Sequence, residues 1–453
     1  MTVDRSRLPE PGPPRSVGFP AIQKSALPNG LRVWTVRHPR IPVVAFALLI
    51  RRGAASDPVG KHGLAAMTAD MLDEGSGDRS AIEMHEAIAQ LGTQLETDIG
   101  ADATIAGFTV LARFADRALN LLAEIVVRPA LRDRDVARVR QLRLHRLTQL
   151  RDVPSAIADR AFLSLLYGEH PYGHSPIGNE QALASMTVED VRAFHAGAIR
   201  PSEATLIAVG DCDHDTIHRY AGKAFEAWDA RGIVSDPADG MLPHPVRLSI
   251  VPRPKAPQSE LRIGQVAAAR GTPDYHALVT ANMVLGGQFS SRLNMNLRES
   301  KGFTYGVRTA FEFRRRPGPF VLQAGVQTSG TAESIAESIA EIGAMATTRP
   351  ISAEELQLAA AALTRGYARN FETADQIARA ITQLALYDLP DTYFAEFVPR
   401  IEGLTTDQVT DALARHLHAS QLATVVVGDL DAIGPDLTKL GLGDPVVLSP
   451  EAF

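Results

Sequence analysis

Cysteine is almost missing from this chain. The 453 residues include one, Cys212, so no internal disulfide and no thiolate metal cage can form. Aromatic residues make up 6% of the sequence, with two tryptophans, too few to suggest a base-stacking platform. Positive charge is not in excess: 46 Lys and Arg stand against 52 Asp and Glu, for a net charge of -6. That balance removes the electrostatic ground for nucleic-acid binding. Long apolar runs are absent too. The longest, around residues 43–50, falls far short of the ~20 residues that cross a bilayer as a helix. The opening stretch MTVDRSRLPEPGPPRS carries Asp4, Glu10 and four prolines and no apolar core, so neither a secretory nor a transit signal is read there. The expectation is a protein without a membrane partner that stays in the cytoplasm, or in the periplasm if a leader has been removed.

What is present is an ordinary globular composition, 45% hydrophobic and 22% charged, and an internal repeat. Residues 186–211 read MTVEDVRAFHAGAIRPSEATLIAVGD and residues 404–429 read LTTDQVTDALARHLHASQLATVVVGD. They align without a gap, Gly210 on Gly428 and Asp211 on Asp429. Each copy predicts a capped helix, a short turn, an apolar β-branched strand and a Gly-Asp step into a further helix. Between the copies, residues 229–257 are proline-rich and read as a semi-extended linker. The expected organisation is a first domain over 17–228, the linker over 229–257 and a related second domain over 258–453. In the first half, Asn29-Gly30 signals a turn, followed by strands over 31–37 and 43–52. Helices are expected over 62–72, 81–91, 115–127 and 133–151, and a hairpin over 94–114 with its tip at 100–102. The second half predicts strands over 260–266, 305–313 and 319–327, then a helical run over 332–397. The fold class expected is α+β, with mixed sheets covered on one face by helices.

Three further stretches carry chemistry. Residues 61–73 read KHGLAAMTADMLD after RRGAASDP, residues 170–173 read HPYG with Gly178 beyond, and residues 290–307 read SSRLNMNLRESKGFTYGV. Together with the two VGD strands, and in this order, they resemble the insulinase/pitrilysin peptidases (processing-peptidase-like) over roughly residues 25–430. In that family an inverted H-x-x-E-H motif puts two zinc-binding histidines on one helical face and a water-activating glutamate between them. A carboxylate from a later helix completes the metal shell. The matching positions here are Ala66, Ala69 and Asp70, and the later carboxylate, eight residues before Pro154, falls on Arg146, between His145 and Leu147. Alanine offers no lone pair and arginine stays protonated, so no metal is expected in this chain. An Asp70–Arg146 ion pair is expected to take over the crosslinking role of the metal. His62, Asp73, Glu74, His85 and Glu86 are close in sequence to the motif, but His85-Glu86 lacks a second histidine on its own face and is read as surface. Arginines 132, 134, 138, 140, 143, 146 and 151 load one helix with charge and are read as a solvated or chamber-lining face. Gly286-Gly287, with no Lys-Ser pair after it, is read as a turn between helices rather than a phosphate loop.

The resemblance also marks what is kept. Arg298 and Tyr305, seven residues apart, match the family's substrate-holding pair. Taken alone, Arg298 can complement a helix C-terminus, Gly302 can stop that helix and Tyr305 can open a strand. Taken as a pair, they imply the non-catalytic, substrate-binding half of a heterodimeric zinc metallopeptidase. Its partner would be a homologous H-x-x-E-H subunit that supplies zinc and general base, and the two chains would close like a clamshell around peptides or unfolded segments. The alternatives are a purely structural scaffold derived from the same family, or an independent hydrolase with a new site.

Overall fold

The computed structural model describes residues 18–229, 242–243 and 246–450. Its strands are β1 (Gln23–Ala26), β2 (Arg32–Arg37), β3 (Val43–Ile50), β4 (Glu96–Ile99), β5 (Thr104–Leu111) and β6 (Ala204–Gly210) in the first half. The second half adds β7 (Leu248–Pro252), β8 (Gln258–Val266), β9 (Thr304–Phe311), β10 (Pro319–Gln327), β11 (Ala423–Gly428) and β12 (Val446–Val447). They form two six-stranded sheets, ordered β1-β2-β6-β3-β5-β4 and β12-β7-β11-β8-β10-β9. The senses repeat as well. β2 and β6 are parallel, as are β7 and β11. β6 runs antiparallel to β3 and β11 to β8. The aligned repeat thus lands on the same strand of each sheet, and β4 and β9 are equivalent edges. Both repeat helices open with a capping box, Thr187 with Asp190 and Thr405 with Gln408, in which side chain and backbone satisfy each other's first-turn donors.

The expected one-sided cover is corrected by the structure. The central strands β6 and β11 are buried on both faces, and the second face of each is covered by a helix of the other half. Helix α1 (Leu64–Asp70), α2 (Asp133–Leu150) and α3 (Pro154–Tyr167) belong to the first half and α4 (Ala374–Tyr387) to the second. Ile377, Ile381 and Leu384 of α4 pack on Trp34, Val36, Leu49 and Ile207 of the first sheet. In exchange, Ile157, Ala161 and Phe162 of α3 pack on Val251, Val321 and Val425 of the second sheet. This explains why every residue of β6 and of β11 is buried: a strand sandwiched on both sides reads as a continuous apolar run rather than an alternating one. Arg262 of β8, itself buried, reinforces the exchange by donating to Asp159 of α3 at 2.6 Å.

The expected linker 229–257 is corrected in part. Residues 248–252 form β7, a parallel neighbour of β11, so the second sheet begins inside it; residues 230–241 and 244–245 lie outside the described residues. The single helical run expected over 332–397 is divided into Thr331–Met345, Ala353–Thr364, α4 and the start of Tyr393–Glu402. No described helix is long and apolar enough to cross a membrane.

Candidate functional site

The short helix α1 is held by its N-terminus. Buried Asp57 accepts from Gly63 N at 2.6 Å and Ala65 N at 2.7 Å, satisfying first-turn donors that have no partner within the helix. Its carboxylate also meets His174 Nε2 at 3.0 Å, and the His174 ring stacks on His62 at 4.1 Å between centroids. Burial, then His174, lowers the His62 pKa from its ordinary value. Gly63 has φ of +97° and its Cα faces Gly178; a Cβ on Gly178 would lie 2.2 Å from the His62 carbonyl oxygen. Both glycines are needed for that approach. The HPYG segment completes the support: His170 Nδ1 accepts from Tyr172 N at 3.0 Å.

On this scaffold the chemical positions carry no ligand set. Ala66 and Ala69 are buried methyl groups. Asp70 is an isolated carboxylate, 43% exposed, and is bound by Arg143 Nη1 at 2.6 Å. The expected partner, Arg146, is a correction: it lies on the exposed side of α2 and, among the described residues, donates to Gln149 rather than to Asp70. Arg143 comes one turn earlier on the buried stripe Val136, Val139, Arg143, Leu147. Its Nη2 also donates to the carbonyls of Pro176 at 2.9 Å and Ile177 at 3.2 Å. One guanidinium therefore ties α1, α2 and the loop after HPYG together. Among the described residues, no three His, Cys, Asp or Glu side chains converge as a metal-holding group. The residues present do not fit a zinc ion.

The neighbouring polar residues are otherwise engaged. His85 Nε2 lies 3.4 Å from Asp73, whose pKa burial raises, and Glu74 pairs with Arg138. The other arginines of α2 and its ends are also partnered: Arg140 donates to the Met186 carbonyl at 2.7 Å and Arg151 pairs with Glu180. Distributed pairing of this kind makes a solvated, charge-matched face, not a phosphate-tracking groove.

The second half places the retained pair at the edge of its sheet. Arg298 stands in a wide, π-type helical turn, Asn294–Ser300, a geometry enriched at functional positions. Its guanidinium lies over the Phe289 ring at 4.0 Å, and its Nε is 3.4 Å from Glu299. Tyr305 projects from edge strand β9 and is 92% exposed. Buried Asn294 joins the turn to the strand: its Nδ2 donates to the Val307 carbonyl at 2.9 Å and its Oδ1 accepts from Val307 N at 2.9 Å. The same amide also donates to Ser291 Oγ at 3.0 Å. Sequence reasoning missed Arg143, Asn294 and Phe289. The apolar periodicity of α2 pointed to Arg143; an asparagine amid apolar positions was the one available sign of Asn294.

Residues 32–180 match the insulinase (peptidase family M16) profile and residues 185–363 match the peptidase M16 inactive domain. This chain belongs to the insulinase peptidase family. It is a member without the family's H-x-x-E-H residues. Among its relatives are uncharacterized zinc proteases of Mycobacterium tuberculosis and Mycobacterium bovis, each 26% identical over 93% of this chain and 96% of the relative. An uncharacterized zinc protease of Bacillus subtilis is 24% identical over 71% of this chain and 78% of its own length. A peptidase M16 inactive domain from Pseudomonas fluorescens superposes with a TM-score of 0.82 at 25% identity, over 90% of this chain and 98% of that one. A protease from Helicobacter pylori shares the fold with the same TM-score at 19% identity, over 90% and 99% of the two chains.

Proposed function

We propose that this chain is the non-catalytic, substrate-binding subunit of a two-chain zinc metallopeptidase. The observation that carries the reading is an asymmetry. The metal positions hold Ala66, Ala69 and an Arg143-paired Asp70, while Arg298 and Tyr305 are kept, Arg298 half-buried beside Phe289 and Tyr305 almost fully exposed. Isolated zinc chemistry cannot arise from the first set. The second set suits a peptide: Arg298 offers a rigid fork for carbonyls or a carboxylate, and the Tyr305 hydroxyl can donate to a carbonyl oxygen as it gains negative charge. The partner is a family member with an intact H-x-x-E-H motif, whose bound zinc supplies the activated water. Peptides or unfolded segments are the substrate class, and the two domains of this chain, the second including β7, form one half of the enclosing chamber.

The test is reconstitution. Either chain alone, mixed with a quenched fluorescent peptide, should give background cleavage, and the two together should give zinc-dependent cleavage. Tyr305→Phe should lower the rate of the mixture about 10²-fold, the scale of losing one oxyanion donor. Full activity of the partner alone, unchanged by adding this chain, favours the scaffold reading instead. An exposed, unsupported tyrosine has no evident use in a scaffold.

A further inference from the structure

Phe289 lies in the short stretch between two π-type helical turns, Met283–Gly287 and Asn294–Ser300, and its ring is 64% exposed. A single exposed ring is ordinary on a protein surface. This one is held in place. Ser291 N donates to the Gln288 carbonyl at 3.1 Å, and Asn294 Nδ2 lies 3.2 Å from the same oxygen and 3.0 Å from Ser291 Oγ. Behind this stretch, Gly286 passes so close to β9 that a Cβ there would lie 2.6 Å from Thr309 Oγ1. The Asn294 side chain thus fixes the segment bearing Phe289 and, through Val307, the strand that carries Tyr305.

The ring is also the support of Arg298. The guanidinium sits 4.0 Å from the ring centroid, a cation–π contact that holds the fork without using an N–H donor. Glu299, 3.4 Å from Nε, is the one carboxylate within ion-pair distance of it among the described residues, and the guanidinium donates no hydrogen bond to any of them. Its donors are unspent, and most of the ring surface is open. An oxygen acceptor beside an apolar group would engage both. A peptide supplies that combination at every residue with a bulky apolar side chain: a carbonyl for the fork and a side chain for the ring. A permanent subunit interface over Phe289 would also take Arg298, the group assigned to the peptide.

We propose that Phe289 is a specificity-determining residue of the substrate site, whose ring receives a bulky apolar side chain of the peptide next to the oxygen that Arg298 binds. This rests on the reading of Arg298 as a substrate-holding group. Phe289 adds selectivity to a site in which Arg298 and Tyr305 address only the main chain or a carboxylate.

The experiment is fluorescence anisotropy of the full chain with two labelled peptides of about ten residues, identical except for leucine or serine at one central position. The wild-type chain should bind the leucine peptide at least about tenfold tighter, the scale of one apolar side-chain contact. Phe289→Ser should bring the ratio of the two affinities to about one at an unchanged Tm, and Phe289→Leu should keep most of the preference. Arg298→Gln should weaken both peptides by the same factor and leave the ratio alone. Equal affinity of the wild-type chain for the two peptides, or no saturable binding of either, would overturn the proposal. So would a leucine preference that survives in folded Phe289→Ser. Loss of association with the zinc-bearing subunit in that variant, seen by size exclusion with peptide preference intact, would make the ring a subunit contact instead. None of the peptide titrations needs the partner. Failed reconstitution of cleavage with the leucine preference intact would sink the two-chain peptidase and leave this subsite standing; cleavage without that preference would do the reverse.

Discussion

Arg143 and Asp70 form a 2.6 Å ion pair between α2 and α1, at the place that the family resemblance gives to a metal and its ligands. The replacement is lopsided. Arg143 is almost wholly buried, and also binds two carbonyls, whereas Asp70 is 43% exposed. Arg143→Ala strands those acceptors and should destabilise the chain by about 2–4 kcal/mol. Asp70→Asn removes a partly solvated charge and should cost less than about 1 kcal/mol. Urea unfolding of the two variants compares them directly, and equal losses would refute the three-way tie.

Asn294 is predicted to act through position rather than contact with substrate. Replacing it by alanine leaves the N–H and carbonyl of Val307 without their partner at the junction of turn and strand. A loss of about 2–3 kcal/mol is expected on unfolding, with a weaker apparent KM for peptide in the reconstituted complex as the main kinetic effect. A kcat change alone, with KM untouched, would speak against a positioning role.

Tyr305→Phe and Arg298→Gln make the opposite case. Tyr305 is almost fully exposed and Arg298 stands over an exposed ring, so neither substitution should shift the unfolding midpoint beyond the scatter of surface changes, about 0.5 kcal/mol. Both should still depress cleavage by the complex. A large stability loss would mean that the pair is structural.

His276 predicts a pH dependence of stability. Its ring is buried among Tyr275, Tyr393 and Phe397, and Nε2 has no hydrogen-bond partner among the described residues. Burial, then Arg400 and Arg270, hold its pKa down to about 4, against a smaller opposing pull from Glu396. The folded state therefore prefers the neutral ring, and its share of stability is intact above the unfolded value near 6.5. That share is lost as pH falls from there toward 4. His276→Phe should flatten the decline over this window in urea titrations, and an unchanged slope would contradict the assignment.

Much of this architecture was readable from periodicity and capping. The helix Ala115–Val127 and strand β10 fall where the sequence puts them, because each is bounded by a change in hydrophobic period or a turn residue. The cross-cover of the sheets was not foreseen, although the unbroken apolar run of β6 carries its mark: a strand open on one face would alternate. The spacing from Pro154 points to Arg146, whereas the fold uses Arg143, which shares the inward stripe with Val136, Val139 and Leu147. Counting along a chain fixes the helical turn; only the buried stripe fixes the face. Asn294 and Val307 are thirteen residues apart, and a side-chain clamp across that interval leaves no periodic trace.

The most direct measurement is zinc content by mass spectrometry after the pure chain is equilibrated with equimolar zinc and passed through a desalting column. The account predicts far less than one zinc per chain, unchanged by Asp70→Ala. One zinc retained per chain, and lost on that substitution, would contradict it.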